Sequence, residues 1–274
     1  MRNNTIKFIT LNVLIFCCLI ISTADMFGQP KTKIVAHRGH WDVEGSAQNS
    51  IASLQKAHEV GAYACEFDVN MTSDGVLVVC HGPQIGNVPN VQKATSAEVL
   101  AVTLENGEKV PTLEQFLKAA KKRYKIPLVL EIKAPYDPLQ SKEIVAKVAA
   151  LLKKLKLVSQ TDIISFSLDV CLEAVKQLPE TMVQYLTGDK TPYELKSMGI
   201  NGMDYHHSLV MLNPEWIEQA HDLGMVVNVW TVDDPAKIQA FAQLGVDYIT
   251  TNKPELAKEI VEQVSEKLEI VNAK

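Results

Sequence analysis

The sequence has no excess of basic residues. Lysine and arginine together number 27, aspartate and glutamate 32, and the formal net charge is −5. Proteins that bind nucleic acids usually carry a basic face, so we expect no nucleic-acid partner. An anionic substrate would have to be held by a few local cations or by a metal ion.

Cysteine is scarce, with five residues in a chain of 274. Beyond the N-terminal segment three remain, Cys65, Cys80 and Cys171, and all lie in or beside apolar segments. An odd number without paired spacing does not form a disulfide framework. We predict that these three residues are buried packing residues.

The chain also lacks an apolar run of the roughly 20 residues that a membrane-spanning helix needs. An N-terminal apolar run covers residues 8–21, follows two basic residues and precedes a short stretch of small ones. That order is typical of a secretory signal peptide. We predict a signal peptide over residues 1–24 and an exported mature protein, periplasmic or secreted, without a stable membrane span. An uncleaved anchor is the alternative.

From Lys33 onward, short β-branched runs alternate with amphipathic stretches. The predicted strands are Ile34–His37, Ala64–Val69, Leu128–Lys133, Ile163–Ser167, Val183–Leu186, Gly202–Tyr205, Val226–Trp230 and Tyr248–Thr250. Eight strands that each precede a helix predict an α/β fold, a single (β/α)8 TIM barrel over residues 33–265. An open doubly wound sheet is the alternative, but no glycine-rich phosphate loop follows the first strand.

One connection breaks this alternation. Residues Gly75–Val79 read as an extra short strand, and residues 82–110 form a long insertion after the second barrel strand. In a barrel such a connection lies on the C-terminal face, where active sites are built. We therefore expect the insertion to be a lid or a wall of the substrate site.

Three carboxylates stand at predicted strand ends. Glu66 and Asp68 are two residues apart and share one face of their strand, and Glu131 occupies the corresponding place on another strand. Acidic side chains crowded in a barrel interior repel one another and lose hydration, so they are tolerated mainly around a cation. Hard oxygen ligands suit Ca²⁺ or Mg²⁺ better than Zn²⁺. The alternative to an ion site is that these carboxylates lie on a solvated edge of the sheet.

Basic and imidazole side chains end the same strands. His37 and Arg38 follow the first strand, Lys133 lies two residues after Glu131, and His81 follows the extra strand. The planar fork of arginine matches two phosphate oxygens, and histidine suits proton transfer. Trp230 ends the seventh strand, where we expect it to contact a substrate, with core packing as the alternative.

The ordered motifs resemble those of the glycerophosphodiester phosphodiesterase family. The resemblance rests on residues 35–39 (VAHRG), 48–50 (QNS), 61–69 with EFDV at its end, 72–81 (TSDGVLVVCH), 111–114 (PTLE), 130–133 (LEIK), 230–232 (WTV) and 245–249 (GVDYI). It covers nearly everything from Ile34 to about Glu255.

This resemblance implies a (β/α)8 barrel with a Ca²⁺- or Mg²⁺-type ion on Glu66, Asp68 and Glu131. It also implies His37 and His81 as an acid/base pair, with Arg38 and Lys133 on the phosphate. The chain departs from the family pattern at two positions: Gln48 stands where the family usually has Glu, and Gly82 where it usually has Asp.

We therefore expect metal-dependent hydrolysis of small-molecule glycerophosphodiesters to sn-glycerol 3-phosphate and an alcohol. Two alternatives remain open. One is a phospholipase-like lyase that stops at a cyclic phosphate, and the other is a catalytically silent exported protein that binds phosphodiesters. The sequence gives no indication of the head group or the oligomeric state.

Overall fold

The computed structural model describes residues 32–272, which form a closed barrel of parallel strands. Its strands are β1 Lys33–Ala36, β2 Ala64–Met71, β3 Leu77–Val79, β4 Leu128–Ile132, β5 Thr161–Ser165, β6 Val183–Tyr185, β7 Gly202–His206, β8 Val226–Trp230 and β9 Tyr248–Thr251. Every strand except β3 belongs to the barrel, and β1 closes it by pairing in parallel with both β2 and β9. The predicted (β/α)8 TIM barrel is confirmed.

Helices flank the strands. They are α1 Ile51–Glu59, α2 Ser96–Ala101, α3 Leu113–Ala119, α4 Ser141–Leu155, α5 Leu168–Gln177, α6 Pro192–Ser197, α7 His207–Leu212, α8 Glu215–Asp222, α9 Pro235–Leu244 and α10 Pro254–Asn272. Local chemistry fixes several helix starts, because Thr95, Thr112 and Thr191 each form a capping box with the residue three positions later.

The core has two layers, as strand alternation requires. Outward-facing residues pack against the helices, for example Phe67 of β2 against Phe116 of α3 with ring centroids 4.3 Å apart. A smaller apolar cluster that includes Val35, Val129 and Ile164 fills part of the barrel interior. This packing leaves the inward-facing residues at the strands' C-terminal ends free to be polar.

The insertion after β2 is built around its own apolar cluster. Strand β3 pairs antiparallel with β2, which confirms the extra strand, and Val78, Val91 and Val99 are fully buried. The Glu108 carboxylate accepts hydrogen bonds from the backbone N–H groups of Ile51 and Ala52, at 2.9 and 3.0 Å, and so satisfies the start of α1. These contacts join the insertion to the barrel, where it forms a wall beside the C-terminal ends of the strands.

Two details of the helices differ from the sequence-based prediction, whereas the prediction for the cysteines holds. Helices α2 and α7 were not predicted, since each spans six residues and neither begins with the capping residue and proline that mark the start of the equally short α6. The spacing of apolar residues predicts one helix over Thr112–Arg123, but the α-helix ends at Ala119 and continues as a π-helical turn over Ala120–Tyr124. The three cysteines are free and buried, which confirms their packing role.

Within residues 32–272, no helix combines the length and the apolar character that crossing a bilayer requires. The predicted signal peptide, residues 1–24, lies outside the described part of the chain.

Candidate active site

Strands β2 and β4 bring the three predicted carboxylates together. Glu66, Asp68 and Glu131 are 2%, 1% and 7% exposed, and one ligand atom from each lies within 4.8 Å of the others. The parallel register explains this, because Asp68 pairs with Glu131 directly and Glu66 precedes Asp68 on the same face. The convergence predicted from the sequence is therefore present.

The electrostatics of this cluster fit a bound dication. Burial, followed by the charges of Asp68 and Glu131, raises the pKa of Glu66 well above its usual value. Burial and Asp68 likewise raise the pKa of Glu131. Glu66 Oε1 is buried and has no hydrogen-bond partner among the described residues. A buried oxygen without a donor is costly, whereas a hard cation prefers such oxygen ligands.

Lys133 lies against the same carboxylates. Its Nζ is 2.7 Å from Asp68 Oδ1 and 2.8 Å from Glu131 Oε1, and the side chain is 14% exposed. Burial alone would lower the pKa of Lys133, but the two carboxylates raise it above its usual value, so the side chain is a cation. It stands where it can bind an anionic oxygen next to the acidic cluster.

Arg38 reaches the cluster from the turn after β1. Its backbone N–H donates to Glu66 Oε2 at 2.7 Å, and its Nε lies 3.4 Å from Asp68 Oδ2. Its Nη1 donates to Gln48 Oε1 at 2.7 Å, so the amide at this family-variant position still orients the guanidinium. Burial tends to raise the pKa of Asp68, but Lys133 and Arg38 outweigh it and hold that pKa below its usual value.

The turn after β1 and the loop that follows it require particular residues at two positions, Gly39 and Asn49. Gly39 has a φ of +77° and lies against Ser53 of α1 so closely that a Cβ would collide with it. Asn49, also at positive φ, donates through Nδ2 to Asp68 Oδ2 at 2.8 Å and accepts the Asp68 N–H at 2.9 Å. This reciprocal pair fixes the Asp68 carboxylate in position.

His37 is held by an amide from the turn after β9. Its Nδ1 lies 2.8 Å from Asn252 Oδ1, which also accepts from Trp41 Nε1 at 3.1 Å, while Asn252 Nδ2 donates to Asp233 Oδ2 at 2.7 Å. Indole N–H can only donate and a carboxylate can only accept, so the amide orientation is determined at both ends. His37 therefore carries its proton on Nδ1 and has a free lone pair on Nε2.

Burial and the neighbouring Arg38 lower the pKa of His37 to about 4, so the ring is neutral near pH 7. A neutral imidazole with an unprotonated Nε2 is a competent proton acceptor.

His81 lies at the mouth of the site, after β3. Asn70 of β2 positions its backbone by donating from Nδ2 to the carbonyl oxygens of Cys80 and His81, at 2.8 and 3.4 Å. Burial lowers the pKa of His81, and the nearby Asp68 opposes this shift. Gly82 has a φ of +61°, and a Cβ there would lie 3.2 Å from Asn70 Nδ2, which explains glycine at this position.

Trp230 is partly buried at the end of β8. Its Nε1 donates to the Asp204 carbonyl at 3.0 Å, and its ring makes edge contacts with Phe166 and His206. The structure thus anchors Trp230 in an aromatic group on the barrel mouth. His206 is exposed, and its Nδ1 lies 2.7 Å from Ser208 Oγ.

Sequence reasoning missed Asn252, Asp233 and Trp41 as parts of the site. Asn252 lies 215 positions from His37, and nothing in an isolated Asn or Asp marks such a contact. Asn49 was within a recognised motif, but its bonding to Asp68 became visible only in the fold.

Comparison with known proteins agrees with this geometry. The model of the "Glycerophosphoryl diester phosphodiesterase family" matches residues 37–256. The crystal structure of a glycerophosphodiester phosphodiesterase from Parabacteroides distasonis is 44% identical, with a TM-score of 0.84 over 86% of this chain and 99% of that one. A glycerophosphodiester phosphodiesterase from Caldanaerobacter subterraneus is 29% identical over 82% of this chain and 96% of its own.

The fold is also similar to that of a more distant solved structure. A phosphodiesterase from Oleispira antarctica, solved in complex with the product sn-glycerol-3-phosphate, is 20% identical, with a TM-score of 0.73 over 84% of this chain and 96% of that one.

Proposed function

Because the chain belongs to the glycerophosphoryl diester phosphodiesterase family, which is a family of phosphoric diester hydrolases, we propose that it hydrolyses glycerophosphodiesters to sn-glycerol 3-phosphate and an alcohol. The observation that supports this most directly is the buried group of Glu66, Asp68 and Glu131 beside Arg38 and Lys133. That combination can neutralise a phosphodiester and hold a cation against it.

Glu66, Asp68 and Glu131 are proposed to hold a divalent cation, Ca²⁺ or Mg²⁺. Their oxygen-only donor set and the unpartnered Glu66 Oε1 support an ion of this hard type. When bound, the ion withdraws charge from a non-bridging phosphate oxygen and stabilises the charge that develops there. Lys133 and Arg38 bind the remaining phosphate oxygens and fix the orientation of the diester.

His37 and His81 are proposed to move the protons. His37 Nε2 takes the proton of the neighbouring glycerol hydroxyl as that oxygen bonds to phosphorus. The bond from phosphorus to the head-group oxygen breaks, and the protonated form of His81, which the charge of Asp68 favours against the effect of burial, donates a proton to the departing alcohol. Each such group contributes roughly 10²- to 10⁴-fold to the rate.

The cyclic phosphate formed in this way is then opened by water. His81, now unprotonated, takes a proton from the attacking water, while His37 returns its proton to the glycerol oxygen as the ring bond breaks. Both histidines regain their starting states, and the product is sn-glycerol 3-phosphate.

The test is phosphorus NMR of glycerophosphocholine, glycerophosphoethanolamine and glycerophosphoinositol incubated with purified protein. We expect sn-glycerol 3-phosphate with Ca²⁺ or Mg²⁺ and no reaction after chelation. The His81→Ala variant should lose turnover while calorimetry finds its divalent-ion affinity nearly intact. Turnover equal to wild type in that variant would remove His81 from the mechanism, and binding without any turnover by wild type would favour the silent phosphodiester-binding protein.

A second candidate is a lyase that acts on a lipid and stops at the cyclic phosphate. It is supported by exposed apolar side chains on the connections after four neighbouring barrel strands, β4 to β7, namely Tyr136, Leu139, Phe166, Tyr193, Met211 and Leu212. Exposed apolar side chains on the segments that follow barrel strands suit a substrate with an acyl chain. A cyclic phosphate that accumulates as the end product from a lysophospholipid would favour this candidate.

Export to the periplasm or the medium is also proposed, from the basic, apolar and small-residue order of residues 1–24. N-terminal sequencing of the protein recovered from its native compartment should find a chain that begins after Ala24. An intact N-terminus would contradict cleavage.

A further inference from the structure

A cavity of about 390 Å³ lies between the turn that follows β1 and the insertion. This volume is within the range of small-molecule sites, about 300–1,000 Å³. Its inner end is lined by Arg38 and His81, and its outer wall comes from the insertion, where Gln84, Val102 and Glu105 contribute. The cavity therefore opens directly from the proposed phosphate position.

The two histidines approach the phosphate from different structural elements. His37 is fixed by Asn252 and Trp41 on the β1 and β9 side, whereas His81 follows β3 and belongs to the insertion side. In phosphoryl transfer the attacking and leaving oxygens lie roughly in line on opposite sides of phosphorus. With His37 at the attacking hydroxyl, the departing alcohol lies beside His81, at the entrance of the cavity.

The walls of the cavity have a distinct chemistry. Among the described residues that line the cavity, Arg38 is the only lysine or arginine. It already contacts Asp68 and Gln48 next to the phosphate position. Farther out the cavity has amide groups, aliphatic side chains and the exposed carboxylate of Glu105. An anionic head group would meet this carboxylate without a compensating cation, whereas a neutral or ammonium head group meets no such repulsion.

The wall is also preformed. The cluster of buried valines and the Glu108 carboxylate at the start of α1 hold the insertion against the barrel. Gly86 lies so close to Val102 that a Cβ there would crowd its side chain, so the turn at Gly86 packs tightly against the end of α2. A rigid wall discriminates by size and charge because it does not reshape around each ligand.

We propose that this cavity binds the leaving alcohol of the diester and selects head groups without a carboxylate, such as ethanolamine and choline, over carboxylate-bearing ones such as serine, an inference that rests on the proposed function. Glu105 is the charge-selecting residue, and Gln84 borders the space that limits head-group size.

The test compares kcat/KM for glycerophosphoethanolamine, glycerophosphocholine, glycerophosphoinositol and glycerophosphoserine, with divalent cation present. In Glu105→Lys, the choline-to-serine ratio should fall about two- to fivefold, the range of exposed charge interactions, and the fall should shrink in high salt. In Gln84→Trp, kcat/KM should fall more for larger head groups, and its fall should be at least about tenfold greater for inositol than for ethanolamine. Gln84→Ala should reduce the discrimination against inositol.

Glu180→Lys is the matched charge control, since Glu180 is exposed in the connection between α5 and β6, away from the catalytic face. It should leave every ratio unchanged. An unaltered choline-to-serine ratio in Glu105→Lys would overturn charge selection, and a uniform loss across head groups in Gln84→Trp would overturn the placement of the alcohol. Either result would leave the proposed hydrolysis intact, whereas no turnover of any of these diesters by wild type would overturn both.

Discussion

The bonding of Asn252 makes a specific prediction about His37. In Asn252→Ala, His37 Nδ1–H loses its acceptor, and the ring is free to rotate and to place its proton on Nε2. The nitrogen that should accept the substrate proton is then misplaced or already protonated. A positioned general base contributes roughly 10²- to 10⁴-fold, so we expect kcat to fall by about 10²-fold or more. KM should change little, because Asn252 contacts neither Arg38 nor Lys133.

An exchange of the side chains of Asp233 and Asn252 provides a more specific test. Asp233→Asn removes the carboxylate that holds the Asn252 amide, and Asn252→Asp places a second carboxylate 2.7 Å from Asp233. Hydrogen bonds to charged groups contribute about 1.5–3 kcal/mol, so each single change should lower kcat roughly tenfold to a hundredfold. The double variant restores a donor facing an acceptor and keeps an acceptor for His37 and Trp41. It should recover most of the wild-type rate.

Steady-state kinetics on glycerophosphocholine with the four proteins gives this double-mutant cycle directly. Two results would refute the reasoning: additive losses in the double variant, or an Asn252→Ala rate within about threefold of wild type. Nitrogen NMR of the imidazole supplies an independent readout, since the wild-type His37 should be in the Nδ1–H tautomer and the Asn252→Ala variant should not.

Two further predictions concern the metal cluster and the remote His221. Glu66→Gln should weaken divalent-ion binding by at least about a hundredfold in calorimetry, and equal ion affinity would exclude Glu66 as a ligand. It should also raise the melting temperature of the metal-free protein, because it removes a carboxyl group that folding must either bury as a charge or protonate. His221 Nε2 bonds Asp247 Oδ2 at 2.9 Å, and this hydrogen bond raises the pKa of His221. The stabilisation that protonated His221 contributes should be complete below its unfolded pKa of about 6.5 and lost as pH rises through its higher folded pKa. Urea unfolding of wild type and His221→Gln between pH 5 and 8 should therefore converge at the upper end, and a difference that grows with pH would contradict the assignment.

Alternation within strands made most of the barrel and its acidic cluster predictable. Glu66 and Asp68 share a face because side chains two apart on a strand do so, and a closed parallel sheet brings Glu131 beside them. These inferences need only local periodicity and the rule that active sites occupy the strands' C-terminal ends. The extra strand β3 was predictable in the same way, from a turn followed by β-branched residues.

The support around His37 was not predictable from such patterns. Asp233, Asn252 and Trp41 meet because β1 and β9 are neighbours only after the barrel closes, more than 200 positions apart in the chain. Loop amides and carboxylates have no periodicity that would mark them. The orientation of Gln48 toward Arg38 also depends on the positive φ angles of Arg38 and Asn49, which a sequence does not reveal.

The charges of the site explain why these groups occur together. Glu66, Asp68 and Glu131 against Arg38 and Lys133 leave one negative charge when all are ionised, and a buried net charge is unfavourable. The protein alone relieves it by raising the pKa values of Glu66 and Glu131 toward protonation. A dication converts the excess to one positive charge, which matches the single negative charge of a phosphodiester. Binding of the ion and binding of the substrate should therefore strengthen each other. Removal of the ion by a chelator should lower the affinity for a non-hydrolysable phosphodiester at least about tenfold, and the protein without the diester should bind the ion more weakly by the same factor. Calorimetric titrations in both orders should give equal factors, and independent binding of the two ligands would show that the charge balance does not govern the site.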